Sequence, residues 1–126
     1  LSESSEQKKV IEWFKIQYPQ FKKRIFAIPN GAYLSGDNRR RAMQMSKLKA
    51  EGLAAGVSDL FIAVAKCKHG HGLFLEMKDT GKTLADVSGK QKDFIKEMMV
   101  AGYAAEWAAG FDEARAIINA YLKGKE

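Results

Sequence analysis

The chain has 126 residues, 46% of them hydrophobic and 29% charged, and a formal net charge of +6. That length supports one hydrophobic core and excludes two, so residues 1–126 are expected to form a single domain. The composition excludes a disordered or fibrous chain, and no apolar run approaches the roughly 18 residues of a membrane span.

The positive balance favours a polyanionic partner, nucleic acid first. The single cysteine, Cys67, leaves no internal disulfide and suits a reducing compartment, the cytoplasm of a bacterial or phage-infected host cell. The chain opens on polar LSESSEQKK, which is no secretory signal, and it lacks a starting Met, as a segment of a longer chain would.

In chain order, Val10, Trp13, Phe14 and Tyr18 recur near helical spacing over residues 6–18, with Ser4 or Ser5 as N-cap and Pro19 at the exit. Residues 24–28 (RIFAI) read as a short strand, ended by the turn signal Pro29-Asn30-Gly31. Residues 33–38 read as loop, and 39–52 as a helix with Gly52 beyond its end. Residues 57–65 form a nearly continuous apolar run, a buried strand that carries Asp59 near its start. A turn over 66–70 joins it to a second strand over 72–78, which makes a hairpin.

Phe94, Ile95, Met98 and Met99 mark a helix over 88–101, stopped by Gly102, and 103–107 read as the last strand. Ala114, Ile117, Ile118, Tyr121 and Leu122 define the clearest amphipathic helix. The predicted order, α-β-α-β-β-α-β-α, is an α/β fold: a small mixed sheet with helices on both faces.

The stretch GLFLEMKDTGKT, residues 72–83, carries two competing motifs. Gly81-Lys82-Thr83 spells the end of a phosphate-binding loop, whose glycines let backbone amides wrap phosphate. That loop needs a glycine at position 76, where Glu76 stands, and a helix directly after it, where a loop-like LADVSG follows. A nucleotide cofactor is therefore not expected.

The second motif is Glu76-Met77-Lys78. Side chains alternate along a strand, so Glu76 and Lys78 share one face with Phe74, while Leu73, Leu75 and Met77 take the other. By themselves Glu76 and Lys78 read more readily as an ordinary exposed pair. Asp59 inside an apolar strand shifts the balance, because a lone buried carboxylate is costly without a cation. A hairpin brings Asp59 and Glu76 to the same end of the sheet. Two carboxylates there could hold a divalent metal, and the lysine could orient the attacking water and offset charge growing on phosphorus.

The string IPNG (28–31), LKAEGLAAGVSDLFI (48–62), HGLFLEMK (71–78), Gln91 and AGY (101–103) resembles the VRR-NUC family, nucleases of the PD-(D/E)XK superfamily. The likeness runs over residues 6–122. It implies a restriction-endonuclease-like core and a Mg²⁺- or Mn²⁺-dependent endonuclease that leaves 5′-phosphate and 3′-hydroxyl ends.

The resemblance implies that Asp59 and Glu76 bind metal, although Ser58 stands where the family motif has Pro. It implies that the Met77 carbonyl faces the metal, that Lys78 serves the nucleophile, and that Gln91 supports the site or the scissile phosphate. A glutamate of the first helix completes such a site, with Glu6 the choice and Glu3 the alternative. By analogy with repair-linked and junction-resolving members, the resemblance also implies branched DNA (a flap or four-way Holliday junction) as substrate in replication, repair or recombination, and a homodimer. The alternative is a non-catalytic module that binds structured DNA.

Arg39, Arg40, Arg41, Lys47 and Lys49 put cations on one predicted helix, and Lys22-Lys23-Arg24 form a second cluster. Both read as contacts to a DNA backbone. Asn30-Gly31 reads either as a DNA-approaching turn or as a plain turn. Cys67, His69 and His71 cannot complete a four-ligand zinc site, because no second Cys/His group exists elsewhere in the chain.

Overall fold

A computed structural model of the chain describes residues 2–29, 34–66, 68 and 70–124. The Asn30–Gly31 turn, Cys67 and His69 lie outside the described residues.

Ser2, and not Ser4 or Ser5, caps the first helix, its hydroxyl accepting the Ser5 amide at 3.0 Å. The helix, α1, therefore covers Glu3–Gln17 and starts a turn earlier than the spacing of its apolar residues predicts. Glu3 and Glu6 both fall in its first turn, where carboxylates complement the positive end of the helix dipole. Pro19 ends it and opens a single 3₁₀ turn over Pro19–Phe21.

Four strands follow: β1 (Ile25–Ala27), β2 (Leu60–Ile62), β3 (Leu73–Lys78) and β4 (Ala104–Ala109), in the spatial order β1-β2-β3-β4. The pairs β1–β2 and β2–β3 are antiparallel, whereas β3–β4 is parallel. The parallel step needs a crossover, and α3 (Gly89–Val100) supplies it. Helix α2 (Asn38–Ala50) joins β1 to β2, and α4 (Phe111–Lys123) ends the fold. None of the described helices is long and apolar enough to cross a membrane.

The strand expected over 57–65 is only three residues long. Asp59 consequently lies just before β2, outside the ladder, because its side chain takes a backbone partner of its own, described below.

Alternation sets the two faces of the sheet. Leu73, Leu75 and Met77, with Leu60 and Ile62, are fully buried against Val10 and Phe14 of α1 and Ile118 and Leu122 of α4. Each such side chain contributes roughly 1.5–3 kcal/mol of burial. Tyr121 of α4 places its hydroxyl 2.6 Å from the Val64 carbonyl and 3.0 Å from that of Gly70, which clamps the connection between β2 and β3. On the opposite face Phe74 meets Phe94 of α3 edge to face, 5.2 Å between centroids. Helix α2 has no buried residue.

Candidate active site

The β2–β3 ladder ends at Leu60↔Leu75, while β3 runs on to Lys78 with only β4 beside it. From Glu76 onward, the β2 edge of β3 is open. Asp59, one residue before β2, fills that gap: its Oδ2 accepts the backbone N–H of Met77 at 2.7 Å. A strand residue turns its N–H and C=O to the same edge. The Met77 carbonyl therefore also lies on the β2 side, next to Asp59.

Glu76 points to the α3 face and is 3% exposed. Its Oε2 accepts a hydrogen bond from Gln91 Nε2 at 3.0 Å and lies 3.8 Å from the ammonium of Lys78. Burial, and then the neighbouring Asp59 charge, push the Glu76 carboxyl up to about 8, against a smaller opposing pull from Lys78. A buried carboxyl kept protonated beside a second carboxylate is one that a cation would relieve.

The other oxygen, Glu76 Oε1, is buried without a hydrogen-bond partner. The remaining such side-chain atoms among the described residues are Ser58 Oγ, beside Asp59, Asp79 Oδ1, beside Lys78, and Glu6 Oε2. Unmet polar capacity is thus concentrated around the end of β3, as expected where a cation and its waters bind.

Gln91 is fixed from both ends. Ser88 caps α3 and forms a capping box with Gln91, whose Oε1 accepts the Ser88 amide at 2.9 Å. That contact turns the Gln91 NH₂ group towards Glu76. Sequence reasoning passed over Ser88, although Ser-x-x-Gln ahead of an apolar stripe is a readable cap signature.

The two first-turn glutamates of α1 have different surroundings. Glu6 is 2% exposed; its Oε1 accepts the Thr80 hydroxyl at 2.8 Å and its Oε2 lies 3.5 Å from Lys9. These contacts, the Thr80 bond foremost, hold its carboxyl below the usual carboxylate range. Thr80 in turn packs on Gly110, where a Cβ would fall 2.3 Å from the threonine Oγ. Glu3, by contrast, is exposed, and its charge is the weakest of the influences that raise the Glu76 carboxyl. Among the described residues no three Asp, Glu, His or Cys side chains converge on one point. Asp59 and Glu76, together with backbone and water, are a set of donors that would suit Mg²⁺, which commonly binds through one or two carboxylates and keeps several waters.

Gly81 lies in a turn that the Lys82 N–H closes on the Asp79 carbonyl at 3.1 Å. Thr83 then gives its amide to Asp86 across a 3₁₀ helix over Leu84–Asp86. Arg39, Arg40, Arg41, Lys47 and Lys49 are all exposed on α2, which Asp37 caps through the Arg40 amide. His71 is exposed and stacks edge to face on Tyr103.

The mixed sheet, its crossover helix and the carboxylate–lysine end of β3 make this a nuclease-type α/β domain. A family model described as the VRR-NUC domain matches residues 1–112, and the chain belongs to the VRR-NUC family. It is similar to a solved structure described as a VRR_NUC domain protein, with a TM-score of 0.79 and 28% sequence identity, covering 98% of this chain and 89% of the other. No curated protein matches the sequence.

Proposed function

We propose that this chain is an endodeoxyribonuclease that hydrolyses phosphodiester bonds with Mg²⁺ or Mn²⁺ held by Asp59 and Glu76. The observation that carries the reading is the buried Glu76 carboxylate, with one oxygen lacking a partner, next to Asp59 at the open end of β3. A bound divalent cation supplies Lewis-acid polarisation of the phosphate and lowers the pKa of a water.

The chain's own groups have separable tasks. Asp59 and Glu76 hold the cation, with the Met77 carbonyl on the same edge. Lys78, its side chain only 12% exposed, presents an ammonium that holds the attacking water and offsets negative charge on the phosphorus. Gln91 keeps Glu76 in place. Of the two α1 glutamates, buried Glu6, bonded to Thr80 two residues after Lys78, stays the choice to complete the site, with exposed Glu3 the alternative.

Charge supports DNA as substrate: five cations on α2 and three before β1 face solvent. The finer reading is cleavage of branched DNA, a flap or four-way junction, by a homodimer that cuts two strands symmetrically. It rests on analogy with small stand-alone junction resolvases.

The test is purified protein with Mn²⁺ on linear, flapped and four-way DNA, combined with a solution mass. Metal-dependent cutting that disappears in Glu76→Ala and Lys78→Ala supports the proposal. Intact DNA in every case, or variants as active as the parent, sinks it. The non-catalytic alternative predicts DNA binding with no metal-dependent cleavage by the parent.

A further inference from the structure

Phe26, Phe61 and Phe74 stand opposite one another on β1, β2 and β3, Phe26↔Phe61 and Phe61↔Phe74. Their rings form a continuous row, with centroids 5.8 and 4.4 Å apart. Ile25, Leu60, Ile62, Leu73 and Leu75 enter the core on the other face, so the row lies on the face that carries Glu76. Helix α3 covers the β3 end of the row through Phe94. Tyr103 meets Phe61 edge to face at 6.0 Å, whereas at the β1 end Phe26 remains 47% exposed. An aromatic ring half in water on a regular strand, continued by two more rings, is an unfinished apolar surface.

Its position gives it a partner. Phe74 stands two residues before Glu76, and Phe61 two residues after Asp59, so each ring lies about 7 Å along the chain from a carboxylate. The Ile28 N–H donates to the Asp59 carbonyl at 2.8 Å, which ties the far end of β1 to the site. Exposed Lys22, Lys23 and Arg24 precede the near end. Phe26 thus sits between two features that attend a nucleic-acid strand: carboxylates suited to a metal at one end and cations suited to phosphates at the other.

We propose that the open β1–β2 part of this face is a stacking platform for an unpaired nucleobase of the DNA strand that is cut. The inference rests on the nuclease reading and narrows its substrate to DNA with an unpaired base beside the scissile phosphate. A paired base already has both faces stacked in the duplex and gains nothing from Phe26. A free base gains a ring to stack on, whatever its identity, while the neighbouring cations hold its backbone.

The test is binding in EDTA, which stops any cleavage, of labelled oligothymidylate, of the same backbone with abasic nucleotides, and of a blunt duplex. Phe26→Ala should weaken oligothymidylate binding about tenfold and leave the abasic strand and the duplex unchanged. Phe26→Leu, which keeps an apolar side chain without a ring, should lose as much, and Phe26→Trp should retain parent affinity. Equal losses on the abasic strand, or no loss on oligothymidylate, overturn the platform. So does a Phe26→Ala change in solution mass with DNA binding intact, which would make the face a contact between copies of the chain. If the parent cuts DNA with Mn²⁺ and Phe26→Ala loses no base-dependent affinity, only the platform fails; if the parent neither binds nor cuts DNA, the nuclease reading fails with it.

Discussion

The side-chain amide of Gln91 donates to Glu76 Oε2 at 3.0 Å while its oxygen accepts the Ser88 N–H at 2.9 Å. One residue thus caps a helix and aims a carboxylate. Gln91→Ala removes both contacts and should cost about 1 kcal/mol of stability along with a loss of cleavage. Gln91→Glu keeps the capping box but sets a second carboxylate against Glu76, so it should melt near the parent temperature at acidic pH and still cut poorly. Thermal melts paired with Mn²⁺-dependent cleavage separate the two effects.

Glu76 makes metal-free stability depend on pH in a defined direction. The folded chain keeps its proton up to about pH 8, whereas an ordinary glutamate gives it up near 4.5. The contribution is therefore fully present below pH 4.5 and is lost as pH rises through 8. In EDTA the melting temperature of the parent, measured relative to Glu76→Gln, should fall across that window. Added Mn²⁺ should stabilise the parent more at about pH 8 than at about pH 6, since cation and proton compete for the same oxygens. A parent-minus-variant difference that stays flat with pH contradicts the assignment.

Asp59 has a fold role and a proposed chemical role on one side chain, and substitution can split them. Asp59→Asn keeps an oxygen for the Met77 amide and should melt within a few degrees of the parent, yet cleave at least roughly a hundredfold more slowly. Asp59→Ala also strands that amide and should lose about 1–2 kcal/mol more. Both should still bind DNA in EDTA. Denaturant melts, cleavage rates and binding isotherms on the same preparations check all three expectations.

The α2 cations should show themselves through salt. If Arg39, Arg40, Arg41, Lys47 and Lys49 meet phosphates, each alanine substitution should lower the slope of log affinity against log salt by about 0.9. The loss should be similar for every DNA sequence, because phosphate contacts carry no base information. Since α2 buries no side chain, these variants should melt with the parent. A slope that stays unchanged when three of them are removed would exclude α2 from the interface.

Much of this was legible beforehand, for physical reasons. The β3 alternation placed Leu73, Leu75 and Met77 in the core and Glu76 with Lys78 outside it, and a short turn made antiparallel pairing of β2 and β3 the natural outcome. The α4 stripe is wide enough to specify its own buried face. Two matters were not readable. The extent of β2 depends on where Asp59 prefers a side-chain bond to Met77 over a place in the ladder, and hydropathy does not record that choice. The α1 glutamate depends on which turn of the helix lies over the end of β3. Glu3 and Glu6 are one turn apart and chemically alike, and neither the Ser2 cap nor the Thr80 bond to Glu6 is marked in the hydropathy pattern.

The bond from Met77 to Asp59 also limits what the carboxylate can offer. With Oδ2 accepting a backbone amide, Asp59 has one oxygen free of that bond to offer a cation, if it holds one as proposed. Calcium is satisfied by about six to eight ligands and favours bidentate carboxylates, whereas magnesium accepts single oxygens in an octahedron completed by water. If Asp59 and Glu76 hold a cation as proposed, the backbone bond at the foot of β2 would favour an ion content with single oxygens and water over one that needs a carboxylate pair.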